Sequence, residues 1–452
     1  MEKIYDLIKK RMPKQARELL AGQNPADIAA FFEHLVEDNE NETEGINDIT
    51  VMFRLLSKDM AAEVFAYLEQ EICETLISKL TDDELSEVIN NMFKDDAVDL
   101  VEEMPANVAV RILGRASKET REQINKLLGY PENSAGSILT TEFVSFSKEI
   151  TVSGALEKIR REGVNKETVY TCYVTEDKSR KLVGIVTVRD LILADSSTQV
   201  KELMNTGVIF AKTGDDKEEV AKLFDKYDLI AIPVTDSEDR IVGIVTFDDA
   251  IDVIREAADE DISKMAAVVP SENTYLKTSA FSHAKNRIVW LIVLMLTSTF
   301  TGAVISSYQE SFSALPLLVS FIPMLMNTGG NCGSQSSSLI IRGLAVDEIR
   351  FRDVFKVIFK EFSVAMIVSP ILAIVNGVRI YFTYGDLAIA VIVSLSLVFT
   401  VLLAKLIGAI LPMIAKKVGL DPALMASPLI TTIVDMCSVA VYFSLATNFL
   451  TM

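Results

Sequence analysis

The stretch "LITTIVDMCSV" at residues 429–439 places an aspartate, Asp435, near the middle of an otherwise apolar segment. This segment runs from 423 to 450 and is long enough to cross a lipid bilayer as a helix. A carboxylate at the centre of a membrane helix costs roughly 2.5–3.5 kcal/mol, so such residues usually face a pathway or a partner. Asp435 therefore predicts an ion pathway or, alternatively, a structural hydrogen bond between helices.

Charge and hydropathy divide the 452 residues into two parts. From residue 276 onward, 12 Lys or Arg and 8 Asp or Glu give +4, so the first 275 residues carry −23. This division predicts several domains, an acidic soluble part followed by an apolar membrane part. The chain has two histidines and no C-x-x-C pair. A zinc, haem or iron–sulfur site is therefore not expected, and any metal should have oxygen ligands.

The first part, residues 1–130, has the periodicity of short amphipathic helices. Similar segments begin 24 residues apart, at 55–68, 79–92 and 103–116, and each joins a polar cap to an apolar stripe. The pattern predicts an acidic, all-α superhelical domain. Before the first repeat, we expect further helix and then a loop at "NETEGIN", residues 41–47.

A second repeat follows at a spacing of 59–60 residues. "CYVTEDKSRKLVGIVTVRDLI" at 172–192 matches "IPVTDSEDRIVGIVTFDDAI" at 232–251, and each copy predicts two strands and a helix. This resembles a tandem pair of α/β CBS domains, which we place at 131–200 and 201–250. CBS pairs commonly bind adenine nucleotides such as ATP, and Arg189 and Asp190 would contact the ribose or phosphate. The second copy lacks this arginine, which favours the alternative of a dimerising regulatory scaffold.

The last part, residues 277–452, predicts an all-α membrane domain of five helices. The predicted spans are 285–307, 314–341, 355–382, 387–414 and 423–450. Lys and Arg collect before the first span and in alternate connections, whereas the loops "SYQESF" and "TYGD" carry neither. The positive-inside rule and the absence of a signal peptide predict a cytoplasmic N-terminus and an external C-terminus, in a bacterial-type plasma (inner) membrane.

The second predicted span contains a run of small and amide residues from Asn327 to Gln335. Its glycines permit close helix packing, but Asn331 and Gln335 lie four residues apart on one face, which favours a pore lining. Lys405, in the fourth span, is expected to snorkel or to form a structural pair. We find no acid inside any span other than the fifth, which argues against an intramembrane enzyme.

The order of these domains, with "GGNCGSQ" in the second span and "DPALMASPLITTIVD" in the fifth, resembles the MgtE family of magnesium channels along the whole chain. The resemblance implies a homodimer that takes up Mg²⁺ through a pore on the dimer axis, with no enzymatic activity and no nucleic-acid partner. Asp435 would select the ion, and the neighbouring second-span residues would shape the pore: Gly329, Gly330, Asn331, Gly333 and Gln335. The alternative is a transporter of Mn²⁺ or Co²⁺ with the CBS pair as a nucleotide-dependent energy sensor.

The acidic half suggests how such a pore is gated. Residues 251–276 predict a long connecting helix rich in acids, which could also be merely a solvated face. Because a net −23 repels itself, divalent cations between facing carboxylates would draw the domains together and close the pore. The resemblance implies regulatory Mg²⁺ ligands at Asp95, Asp99, Asp216, Glu218, Asp228, Asp249, Asp252, Glu260, Asp261 and Asp421.

Overall fold

The computed structural model describes residues 1–37, 42–177, 179–271, 275, 278–308, 316–425 and 427–450. The chain forms two compact units, Met1–Arg255 and Glu256–Met452. The first unit contains a helical part and two small α/β sheets, and the second is helical. The predicted order of fold classes is therefore confirmed in outline.

The helical part of the first unit consists of short helices joined by tight turns. They are α1 Glu2–Lys9, α2 Pro13–Leu20, α3 Pro25–Glu37, α4 Glu42–Phe53, α5 Lys58–Ala66, α6 Gln70–Lys79, α7 Asp82–Asn91, α8 Lys94–Glu103, α9 Ala106–Arg115 and α10 Lys118–Leu127. Helices α5, α7 and α9 begin 24 residues apart, as do α6, α8 and α10. The repeat predicted from the sequence is therefore confirmed as a repeat of helix pairs.

The loop expected at residues 41–47 is wrong for its described part, because helix α4 already begins at Glu42. Its apolar residues Ile49, Met52 and Phe53 are buried at helical spacing in the core of the first unit. Burial of this stripe outweighs the helix-weakening composition of the preceding residues. Residue 41 itself lies outside the described residues.

The two sheets have the same topology. The first contains β1 Ser145–Ser147, β2 Thr171–Thr175 and β3 Leu182–Thr187, with helices α11 Val152–Glu162, α12 Val188–Leu193 and α13 Val200–Leu203. The second contains β4 Ala211–Lys212, β5 Ala231–Thr235 and β6 Ile241–Thr246, with α14 Lys217–Tyr227 and α15 Phe247–Met265. In each, the first strand is parallel to the second and the second antiparallel to the third. The repeated sequence therefore folds as a repeated structure.

The cores explain how the first unit is assembled. One continuous cluster joins buried residues of α3–α10 to Val220 and Phe224 of α14 and to Ile232 and Val245 of the second sheet. The first sheet has a separate cluster, which includes Val144 and Phe146. Acidic residues at the start of α8 are thus brought close to the start of α15 within a single packed unit.

Among its described residues, the second unit has five long helices: α16 Ala280–Ser307, α17 Ile322–Ala345, α18 Val354–Tyr384, α19 Leu387–Lys417 and α20 Ser427–Leu450. Within the described residues, α16, α18, α19 and α20 are long and apolar enough to cross a membrane. Helix α17 has 24 residues, but its middle is the small and amide run. Helices α16, α18, α19 and α20 match their predicted spans to within five residues at each end. Helix α17 begins eight residues after the predicted start of the second span, because residues 316–321 form a 3₁₀ helix. Residues 309–315 lie outside the described parts.

Candidate functional site

Asp435 lies in the middle of helix α20. The residue is partly buried, and its Oδ1 atom is inaccessible and accepts no hydrogen bond from the residues that the structure describes. A structural aspartate would be expected to have its buried oxygens satisfied by neighbouring donors. The geometry therefore disfavours the interhelical hydrogen bond that was the structural alternative for this residue.

Helix α17 reaches the Asp435 segment through its glycines. A Cβ atom on Gly329 would lie 2.9 Å from Val434 Cγ1, and one on Gly333 would lie 2.8 Å from Ile430 Cγ2. Real side chains do not approach so closely, so only glycine permits this separation of α17 and α20. The structure thus packs Gly329 and Gly333, with Gly330 between them, against the residues that flank Asp435.

The amide residues lie on a different face of α17. Asn327, Asn331 and Gln335 recur every four residues and are exposed, whereas the glycines are buried. Asn331 Nδ2 donates a hydrogen bond of 3.4 Å to Asn327 Oδ1. An exposed stripe of amide oxygens within an apolar bundle provides hard ligands for a cation or its water shell. The shared face predicted for Asn331 and Gln335 is confirmed.

A buried ion pair corrects the prediction that no other span carries an acid. Glu361, in the second turn of α18, and Lys405 of α19 are buried with their charged atoms 3.5 Å apart. Ser336 of α17 donates a hydrogen bond of 2.6 Å to Glu361 Oε2. Glu361 directly follows a segment rich in Lys and Arg, so the sequence did not make clear that it lies inside the span. Of the two expectations for Lys405, the structural pair is confirmed.

The first unit gathers acids from three elements. Asp95 and Asp96 begin helix α8, and Asp249 begins α15; Glu167 lies between α11 and β2. Burial, followed by repulsion from Asp249 and Asp96, raises the pKa of Asp95 well above its usual range. Burial and neighbouring acids also raise the pKa of Glu167 to about 8. These side chains form what we call the acidic cluster.

Further members of the acidic cluster show the same effect. Burial raises the pKa of Asp249 to about 7, although hydrogen bonds from Thr246 oppose the shift. Burial and repulsion from Asp248 raise the pKa of Asp96 to about 6. Asp95 Oδ1 and Glu167 Oε2 are inaccessible and have no hydrogen-bond partner in the described residues. The acidic cluster therefore binds protons near neutral pH.

Other predicted regulatory acids have local structural partners. Asp216 caps α14 by accepting hydrogen bonds from two backbone amides, and Asp228 ends that helix at a φ of 52°. Asp252 lies 3.3 Å from Arg255. The predicted nucleotide-binding residue Asp190 also has a local partner, since it accepts a 2.6 Å hydrogen bond from Thr187 at the start of α12. In the described ranges, no three Asp, Glu, His or Cys side chains come together in a geometry that could hold a metal ion.

At the end of helix α15, a lysine links two of the predicted regulatory acids. Lys264 Nζ lies 2.7 Å from Glu260 Oε1 and 2.6 Å from Asp421 Oδ2, just before α20. Burial opposes the charge of Lys264, but hydrogen bonds from its ammonium to these two carboxylates raise its pKa. Burial and nearby Asp421 raise the pKa of Asp261. An ammonium thus lies where a bridging cation was predicted.

Family models match most of the chain. Residues 322–445 match the MgtE model, described as a divalent cation transporter, and 23–133 match the MgtE intracellular N domain. Residues 135–197 and 200–256 match the CBS domain. The magnesium transporter MgtE of Thermus thermophilus is 35% identical over 434 residues, which cover 95% of this chain and 94% of that protein. The chain belongs to the MgtE family.

Two solved structures resemble part of this MgtE-family chain. One is the soluble part of a magnesium transporter, with 31% identity and a TM-score of 0.53; the match covers 57% of this chain and 99% of the other. The second is the cytosolic domain of the Mg²⁺ channel MgtE in complex with ATP, with 33% identity and a TM-score of 0.50. That match covers 55% of this chain and 97% of the other.

Sequence reasoning missed several residues of these sites in the MgtE-family chain. Glu167 gave no signal, because it lies in a polar segment between a helix and a strand. The partnership of Glu361 with Lys405 could have been suspected, since an unpaired charge inside a span needs a partner. Lys264 could also have been noted, because it lies four residues after Glu260 on one helix face.

Proposed function

We propose that this chain is a membrane channel or transporter that takes up Mg²⁺, with Asp435 as the selecting carboxylate. The observation that carries the proposal is the buried Oδ1 of Asp435, which has no partner among the described residues and lies beside the glycine-packed face of α17. Mg²⁺ has only oxygen ligands in such sites and releases its waters reluctantly. The ion would therefore contact Asp435 through its water shell, which permits both selection and release.

The proposed pore has five spans per subunit and lies on the axis of a homodimer. Helix α17, the second span in chain order, would complete the five, because its polar middle faces the pathway rather than lipid. Two copies of the amide stripe would then face each other, with Gly329, Gly330 and Gly333 behind them. Positive residues in alternate connections support a cytoplasmic N-terminus and an external C-terminus in the plasma membrane.

The proposed gate is controlled by cytoplasmic Mg²⁺. In the acidic cluster of Asp95, Asp96, Glu167 and Asp249, burial and mutual repulsion oppose ionisation of the carboxyl groups, so a divalent ion that bound there would stabilise their compact arrangement. The other proposed regulatory ligands follow from the family pattern: Asp99, Asp216, Glu218, Asp228, Asp252, Glu260, Asp261 and Asp421. When Mg²⁺ is scarce, repulsion among these acids would separate the domains and open the pore.

Nucleotide binding is proposed for the first CBS copy. The ATP-bound solved structure that resembles this region supports it. Arg189 is exposed next to Asp190 at the start of α12, where a helix N-terminus favours an anionic group. ATP would then modulate the gate. The alternative function, Mn²⁺ or Co²⁺ transport with an energy-sensing CBS pair, uses the same pore and differs in the ion selected.

The test is Mg²⁺ uptake into proteoliposomes that hold the purified chain and an entrapped Mg²⁺ indicator. Asp435→Asn keeps the shape of the side chain and removes its charge, so uptake should fall at least tenfold. Asp347→Asn is the matched control, because Asp347 lies in a left-handed turn (φ 55°) that asparagine also tolerates. Unchanged uptake in the Asp435 variant would refute the pore, and preferred uptake of Mn²⁺ or Co²⁺ would favour the alternative.

A further inference from the structure

Three membrane-domain helices meet at one polar contact. Lys405 Nζ of α19 lies 3.5 Å from Glu361 Oε2 of α18 and donates a 3.2 Å hydrogen bond to Ser336 Oγ of α17. Ser336 in turn donates a 2.6 Å hydrogen bond to the same carboxylate oxygen. Glu361 is 8% exposed, Lys405 is 6% exposed and Ser336 is fully buried. Each of the three helices contributes one residue to this contact.

Such a contact restricts how the helices are oriented more than it stabilises their association. Buried ion pairs are often no more stable than well-packed apolar side chains of the same volume, because removing the charges from water is costly. Once formed, however, the pair tolerates little displacement, since either charge alone in a membrane interior is strongly unfavourable. The contact therefore favours one rotation of α17 relative to α18 and α19.

The rotation of α17 decides where its amide stripe points. Ser336 follows Gln335 directly, and consecutive helical residues are about 100° apart, so one faces the bundle while the other is exposed. One turn away on the buried side, Gly333 packs so closely on Gly408 of α19 that a Cβ on Gly408 would lie 3.0 Å from the Gly333 carbonyl carbon. Turning the exposed amides would require both contacts with α19 to break.

We propose that Ser336, Glu361 and Lys405 are positioning residues that fix the rotation of α17 and thereby set the ion selectivity of the pore. They act through Asn331 and Gln335 and do not themselves contact the ion. This inference rests on the proposed function, because selectivity is defined only for a conducting pore. The rotation itself, however, can be measured without transport.

The sharpest perturbation is Ser336→Ala, which removes the hydroxyl that joins α17 to the ion pair. Its matched control is Ser396→Ala: Ser396 is equally buried, but its hydroxyl bonds to Ile392 within its own helix. In proteoliposomes, Ser336→Ala should weaken the preference for Mg²⁺ over Co²⁺ at least threefold and change KM more than the maximal rate. Ser396→Ala should leave both unchanged.

A second readout follows Cys332, which is buried on α17 beside exposed Asn331. In chains with the other three cysteines replaced by serine, a membrane-impermeant thiol reagent should modify Cys332 at least threefold faster when Ser336 is alanine. Faster modification without any Mg²⁺ flux in the unmodified chain would refute the proposed function but support the positioning. Unchanged selectivity together with unchanged modification would overturn the inference.

The ion pair itself is tested by neutralising it. Glu361→Gln and Lys405→Met together remove both charges, so the chain should remain folded while its selectivity loosens as in Ser336→Ala. If Ser336→Ala does not fold, this double variant still tests whether the contact positions α17. Wild-type selectivity and wild-type Cys332 reactivity in the double variant would show that the charges do not position α17.

Discussion

Replacing Gly408 with alanine tests whether α17 and α19 are held at the separation that the candidate pore needs. The added Cβ would lie 3.0 Å from the carbonyl carbon and 3.1 Å from the Cα of Gly333, and closer still to its oxygen. All three are backbone atoms, which cannot turn aside as a flexible side chain can. The carbonyl carbon alone would require a shift of 0.4 Å to restore an ordinary contact of 3.4 Å, and the closer oxygen requires the two helices to separate further.

The magnitude follows from two opposing effects. Overpacking of a well-packed core costs about 1–3 kcal/mol, and backbone atoms put Gly408→Ala near the upper end. Alanine in place of glycine stabilises a helix by about 1 kcal/mol. The expected net loss is therefore about 2 kcal/mol, which corresponds to a melting temperature about 4–8 °C lower for a unit of this size.

The assay is thermal unfolding of the purified chain in detergent, followed by the loss of the monodisperse peak in size-exclusion chromatography. Gly302→Ala is the matched control, because a Cβ at Gly302 of α16 would have no heavy atom within 4 Å. That variant should melt at or slightly above the unmodified chain. If Gly408→Ala melts as high as Gly302→Ala, the close approach of α17 and α19 is not required and the reasoning is refuted.

Three further predictions concern the first unit and helix α15. Lys264→Met should raise Mg²⁺ uptake at zero internal Mg²⁺ about threefold, because Glu260 and Asp421 then repel each other. Lys356→Met, which breaks an exposed ion pair, should not change uptake. Equal uptake in both variants would contradict a gating role for the Lys264 contact. The melting temperature of residues 1–255 in chelator should fall as the pH rises from about 5 to 8. Glu167 has a pKa of about 8 in the folded chain, so the folded state binds more protons than the unfolded state in this range, and stability is lost as they dissociate. Glu167→Gln should make the melting temperature less dependent on pH. If the melting temperature of this variant falls as steeply as that of the wild type, Glu167 is not the source of the pH dependence. Arg189→Ala should weaken ATP binding about tenfold in calorimetry, and unchanged affinity would favour the scaffold role of the CBS pair.

Much of the fold could be predicted because its signals are local. The 24-residue helical repeat, the duplicated strand pairs and the long apolar segments each repeat a pattern that secondary structure imposes within a few residues. The loop expected at residues 41–47 failed for the opposite reason. Whether α4 forms there depends on the buried positions of Ile49, Met52 and Phe53, which belong to the tertiary core.

The candidate site could be predicted from the sequence only where the residues that reveal it lie in a single helix. Asn331 and Gln335 share a face because of their spacing alone, and Asp435 is unusual in any apolar span. By contrast, the pairing of Glu361 with Lys405 joins residues 44 positions apart on different helices. The acidic cluster likewise depends on contacts between α8, the segment before β2 and α15, which no local pattern encodes.

The distribution of the chain's own cations indicates where a divalent ion should act. In the second unit, Lys264 contacts Glu260 and Asp421, so these carboxylates are largely neutralised without a metal. In the first unit, Asp95 Oδ1 and Glu167 Oε2 are buried without a partner in the described residues. An ion that binds there has only protons to displace, whereas one at Glu260 and Asp421 must first displace the ammonium of Lys264 from both carboxylates. Sensitivity to Mg²⁺ should therefore arise mainly in the acidic cluster, with the Lys264 contact setting how firmly the connecting helix is held.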